Sequence, residues 1–128
     1  MAYRTHQRLA VWQKGMDLVV ECYRLTGPLP ESERYGLTSQ IRRAGVSIPA
    51  NIAEGNGRGF DAEYARSLTV ARGSLRELET HLEIARRLEF IAEERLAFAN
   101  SLLDEVGRLL TTTIGKVRQR DARLSRRS

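Results

Sequence analysis

Glu54 and Glu77 are the residues best suited to acid–base work, provided the segments that carry them pack side by side. One carboxylate can then hold a proton while its neighbour stays charged. The same two groups can equally be solvated or paired with arginine, and Arg43, Arg58, Arg72 and Arg76 are all near in sequence. Ser47, Ser67, Ser74 and Cys22 are the candidate nucleophiles, but none has an evident base and orienting partner. His6 and His81 are the only histidines, and neither falls at a zinc-ligand spacing from cysteine or carboxylate. Gly55, Gly57 and Gly59 invite comparison with phosphate loops. A Walker loop needs a lysine and a hydroxyl after its glycines, and a dinucleotide fingerprint needs a strand before them. Neither is present, so no catalytic residue, metal or cofactor is assigned and the chain is read as non-enzymatic.

The 128 residues fit one domain with a core of its own. Aromatic residues are sparse at 6%, which favours helices over sheet. The formal charge of +5 is unevenly placed. Residues 118–128 carry five arginines and one aspartate, or +4, whereas residues 1–117 carry 16 basic and 15 acidic groups, or +1. Such an end can hold RNA, DNA or an acidic surface by charge, or remain a solvated terminus. Cys22, the single cysteine, lies in an apolar stretch and reads as a buried thiol. No run approaches the roughly 18 apolar residues of a membrane span, and the first residues do not resemble a signal peptide. The expected location is the cytoplasm, with no membrane partner.

Four blocks of apolar residues at helical spacing must position these groups. The first has two adjacent stripes: Leu9, Trp12, Met16, Val19 and Tyr23, then Val11, Leu18, Cys22 and Leu25. Together they are broad enough for two partner surfaces. The others follow Leu37, Ile41, Ala44, Ile48 and Ile52; Tyr64 through Ala85; and Leu96 through Val117. Gly27, Pro28 and Pro30 end the first block, the glycines after Glu54 end the second, and Asp61 is a plausible N-cap for the third. The reading is an all-α, antiparallel up-down-up-down four-helix bundle over residues 1–117, with helices near 8–26, 33–56, 61–88 and 93–117. Residues 118–128 form a flexible basic tail in this reading.

Helix two carries Gln40, Arg43, Ser47, Asn51 and Glu54 as a polar stripe adjoining its apolar one. Ser47, Asn51 and Glu54 should therefore border the core and need partners, which Ser67, Ser74 and Glu77 of helix three or a second subunit can offer. Pro49 lacks an N–H and crowds the carbonyl of Gly45, so a kinked second helix is expected.

The stretches "LTSQIRRAGVSIPANIAEGNGRG" and "EYARSLTVARGSLRELETHLEIA" closely resemble the 23S rRNA intervening-sequence protein family, also called the four-helix-bundle protein family. "LAVWQKGMDLVVECYRLT" resembles its opening helix, and the likeness runs from about Leu9 to Leu110. The paired motifs S-I-P-x-N-I-A-E-G and G-S-L-x-E-L-E carry it; the basic end is not part of the pattern. The resemblance implies a small antiparallel bundle, homopentameric rings and no established enzymatic activity. It also implies kinship with the accessory variability determinant of diversity-generating retroelements, a basic pentameric barrel that binds nucleic acid and a reverse transcriptase. Ser47, Pro49, Asn51, Glu54, Gly55, Ser74 and Glu77 occupy its signature positions.

The resulting expectation is a homo-oligomer, pentameric by resemblance, associated with RNA or DNA through Arg42, Arg43, Arg58, Arg118, Arg120, Arg123, Arg126 and Arg127. The competing expectation is a homo-oligomeric scaffold or protein-partner module without nucleic acid. No particular protein partner is implied.

Overall fold

The computed structural model of the chain describes residues 5–127. Their regular structure is helical, with no strand among them. Helix α1 spans Ala10–Thr26, α2 Leu37–Gly57, α3 Asp61–Arg87 and α4 Ala97–Arg127. Single 3-10 turns at Thr5–Arg8, Glu31–Glu33 and Glu93–Leu96 precede α1, α2 and α4.

Each helix packs against two neighbours, and the diagonal pairs share no seam. Every seam runs antiparallel. Between α1 and α2, Gly15 lies against Pro49 and Gly45 against Cys22. Between α2 and α3, Ser47 meets Ser74 and Gly55 meets Ser67. Between α3 and α4, Asp61 meets Arg120 and Gly107 meets Leu75. Between α4 and α1, Lys14 meets Glu105, and the Arg24 carbonyl meets Arg95 of the turn before α4. The core lies inside this square. The expected apolar stripe of α2 and that of α3 are buried throughout. Each fully buried leucine or isoleucine contributes about 1.5–3 kcal/mol of transfer free energy.

Helix α1 splits its two stripes. Val11, Leu18, Cys22 and Leu25 enter the core. Met16 and Tyr23 are exposed, while Leu9 and Trp12 are only partly buried against the core. The α1–α2 seam is close because it is built on small residues. A Cβ on Gly45 would lie 3.1 Å from the Cys22 sulfur, and Pro49 packs its ring on Gly15. Helix α2 runs without a break through Pro49.

Four boundaries differ from the sequence reading, the first being the start of α4, at Ala97 rather than near 93, because Glu93–Leu96 form a 3-10 turn. Helix α2 begins at Leu37 rather than near 33, because Glu33 occupies a 3-10 turn and its carboxylate accepts the Leu37 N–H at 3.1 Å. Phe60 is the N-cap of α3, and Asp61 is its first residue, turned instead toward α4. Residues 118–127, expected as a flexible tail, continue α4. Ser128 of that tail lies outside the described residues. Arg120 pairs with Asp61, the first residue of α3, so the turns after it run past that end of the bundle by about 10 Å. No helix among the described residues is long and apolar enough to cross a membrane.

Candidate nucleic-acid interface

Within the polar row of α2, Ser47, Asn51 and Glu54 find partners in their own subunit. The Ser47 and Ser74 hydroxyls are 2.8 Å apart across the α2–α3 seam. Asn51 donates from its amide to the Ser47 carbonyl at 2.8 Å and to the Ser47 hydroxyl at 3.0 Å. Asn51→Ala removes both bonds and should cost about 1 kcal/mol in a urea titration. Ser74→Ala should cost less, because Ser47 still accepts from Asn51. Equal stability in all three proteins would mean that these bonds do not stabilise the fold.

The carboxylate pair does not form. Glu54 is held by Arg58 at 2.5 Å, and Glu77 faces His81 at 3.2 Å. Gly55 lies against Ser67, and Ser47 against Ser74. Glu54 and Glu77 are therefore about ten residues apart along the seam, roughly 15 Å. Among the candidate nucleophiles, Cys22 is equally quiet. Burial, then the charge of Glu21, push the Cys22 thiol up to about 12, which keeps it protonated and unreactive. No metal-holding cluster of His, Cys, Asp and Glu occurs among the described residues.

The eight candidate arginines divide into two sets. Arg42 is built into the α1–α2 seam: its guanidinium lies 4.4 Å from the Tyr23 ring centroid, and its Nε donates to the Thr26 hydroxyl at 2.8 Å. Arg58 is held by Glu54, with Glu63 at 3.9 Å. Arg120 grips Asp61 with two bonds, at 2.9 and 3.3 Å. Arg43, Arg118, Arg123, Arg126 and Arg127 are exposed, with no hydrogen-bond or ion-pair partner among the described residues. Arg43 is on the outer face of α2, one turn before Ser47, away from the others. The remaining four share the end of α4. Because that end is helical, Lys116, Arg120, Arg123 and Arg127 fall on one stripe, at steps of four, three and four. Lys116 was not joined to Arg120, Arg123 and Arg127 in the sequence because the helix was expected to stop at 117.

Beside this stripe, at the α2–α3 turn, is a cleft of about 120 Å³. Gly59 carries the chain through the turn at φ 81°, where a side chain would be strained. Asn56, Phe60, Tyr64 and Arg120 line the cleft. Tyr64 is 7% exposed, and its hydroxyl is buried with no partner in hydrogen-bonding geometry. Burial pushes this phenol upward; the nearby Asn56 side chain and the Arg120 charge pull the other way. Sequence reasoning missed Asn56 and Tyr64, since Tyr64 reads only as a core position.

Two larger hollows, about 500 and 470 Å³, share walls in the groove between α3 and α4. The first is lined by Arg76 and Arg86 but also by Glu79, Glu83, Glu93 and Asp104. Its arginines pair internally with Glu79 and Glu83, so the groove is a poor seat for phosphate.

The family model described as 23S rRNA-intervening sequence protein matches residues 7–112. The chain belongs to this family. A solved relative from Bacteroides thetaiotaomicron VPI-5482, described as a protein with unknown function from the S23 ribosomal protein family, superposes with a TM-score of 0.73. It is 29% identical, and the alignment covers 82% of this chain and 98% of that one. No curated protein matches the chain. Within this intervening-sequence family member, the hydrogen-bonded row and Gly55 fall inside the matched region. The arginine stripe from Lys116 onward falls beyond it.

Proposed function

We propose that this intervening-sequence family member is a non-enzymatic, cytoplasmic binding module that holds RNA or DNA by charge through the end of α4. One observation carries the reading. Among the described residues Arg118, Arg123, Arg126 and Arg127 are unpaired and clustered on a helix that leaves the bundle, whereas on the bundle walls Arg34, Arg58, Arg76 and Arg86 are paired with carboxylates and unpaired arginines such as Arg43 and Arg108 stand on different helices. Unpaired guanidinium groups displace the counterions of phosphates, so binding is tight at low salt and weak at high salt. Replacing all four by alanine should lower the slope of log affinity against log salt by about 3 for a single strand. Anisotropy titrations at two salt concentrations, with circular dichroism to verify the helices, measure this. Equal affinities for the two proteins would exclude the α4 end.

A second observation supports self-association, pentameric by family resemblance. Both helices of the α1–α2 seam leave large apolar side chains open. Val20 is 47% exposed, Tyr23 47% and Val46 43%. Exposed apolar side chains on two neighbouring helices of a small chain suit a contact surface, and the occupant proposed is a second copy of this chain.

A further inference from the structure

We infer that the cleft at the α2–α3 turn takes one unstacked base of a single-stranded nucleic acid, a site that rests on the binding reading above. Phe60 stands at the cleft rim with 71% of its surface exposed. An aromatic face held open beside a polar cavity is a platform for base stacking. Behind it, the Tyr64 hydroxyl has no partner, and the Asn56 amide beside it offers both a donor and an acceptor. A base edge presents the same mixture of groups. The volume equals about four waters' share of liquid, which suits one flat ring.

The cleft chemistry favours a neutral ring over a phosphate. Asp61 lines the same cavity, and Arg120 is already committed to it. An anion would meet a carboxylate there with its cation half spent. The backbone has a better track outside. Arg120 belongs both to the cleft wall and to the α4 stripe, so a strand following Lys116, Arg123 and Arg127 passes the cleft mouth. Gly57 and Gly59 leave that approach open, since a Cβ on either would meet nothing within 4 Å. A duplex keeps its bases stacked and paired and cannot use the cleft.

The test is anisotropy with labelled oligo(U), oligo(A) and a mixed-sequence duplex. It compares the full chain with Phe60→Ala, Tyr64→Phe and the four-arginine variant. Phe60→Ala should weaken single-strand binding about tenfold while leaving duplex binding and the salt slope unchanged. Tyr64→Phe should keep the fold, since it removes only the unpartnered hydroxyl, and should change the ratio of oligo(U) to oligo(A) affinity. If Phe60→Ala and Tyr64→Phe bind single strands as the parent does while the four-arginine variant does not, the cleft assignment fails and the charge reading stands. If the parent binds neither single strand nor duplex, both fail. If Phe60→Ala changes the molecular mass in light scattering and not the affinity, the cleft belongs to a subunit contact and the assignment is overturned.

Discussion

Gly55→Ala is expected to destabilise the protein by about 2 kcal/mol, although alanine is the better helix former. The reason is the closeness of α2 and α3. A Cβ at position 55 would lie 2.5 Å from the Ser67 Cβ, 2.9 Å from its hydroxyl and 3.2 Å from the Tyr64 ring. Ser67 is short and fixed to its helix backbone, so relief requires the helices themselves to part. Parting them also stretches the Ser47–Ser74 bond farther along the seam. Gly73 supplies the opposite sign. It is exposed in the middle of α3, and a Cβ there meets nothing within 4 Å. Gly73→Ala should stabilise by just under 1 kcal/mol. Urea midpoints of the two variants should move in opposite directions from the parent. Destabilisation by both would show that Gly73 is covered in the assembled protein, and stabilisation by both would disprove the close approach at Gly55.

Val20→Arg is expected to abolish assembly while leaving the bundle folded. In the single chain Val20 is half open to solvent, so the arginine has water to reach and the core is untouched. In an assembly across the α1–α2 face, the same charge would be buried against Tyr23, Val46 and their counterparts. Burying an unpaired charge costs several kcal/mol, enough to weaken association a hundredfold or more. Val46→Arg should act in the same way from the neighbouring helix. Val70→Arg is the control, since Val70 is 49% exposed on the outer side of α3. Light scattering at micromolar concentration should give the monomer mass for the first two and the parent mass for the third. A parent that is itself monomeric removes the proposal, as does an unaltered mass for Val20→Arg and Val46→Arg.

The helices were legible because each carries an uninterrupted apolar period. The stripe from Tyr64 to Ala85 could be read from spacing alone, and every residue named on it is buried. The adjacent stripes of α1 were also legible, but which one faces inward was not. That choice depends on α2 and α4 arriving beside Leu18 rather than beside Met16. The end of α4 was misread because charge was used to draw a boundary that geometry does not respect. Arginine, glutamine, alanine and leucine all favour helix, and neither glycine nor proline interrupts residues 116–127.

The site was less legible than the fold for a related reason. Local pairs such as Glu54 with Arg58 follow from spacing on one helix. Arg42 over Tyr23 and Arg120 on Asp61 join residues on different helices, 19 and 59 positions apart. Nothing in the chain distinguished these anchored arginines from the open ones. Gly55 carries the same lesson. Gly55, Gly57 and Gly59 together read as a turn, but only Gly59 takes the left-handed backbone. Gly55 is needed for what it leaves out of the seam.

The overhang of α4 gives any closed assembly a direction. Rotation about a cyclic axis preserves each copy's height along that axis, so the projecting ends of all subunits arrive at one level. If they point along the axis they crown one rim; if they lie across it they radiate as spokes from a single belt. Each copy adds +4 at that level and only +1 over residues 1–117. Such a particle would present a cationic pole and an almost neutral body. It would settle on a polyanion in a single orientation, leaving its opposite rim free for whatever else it meets.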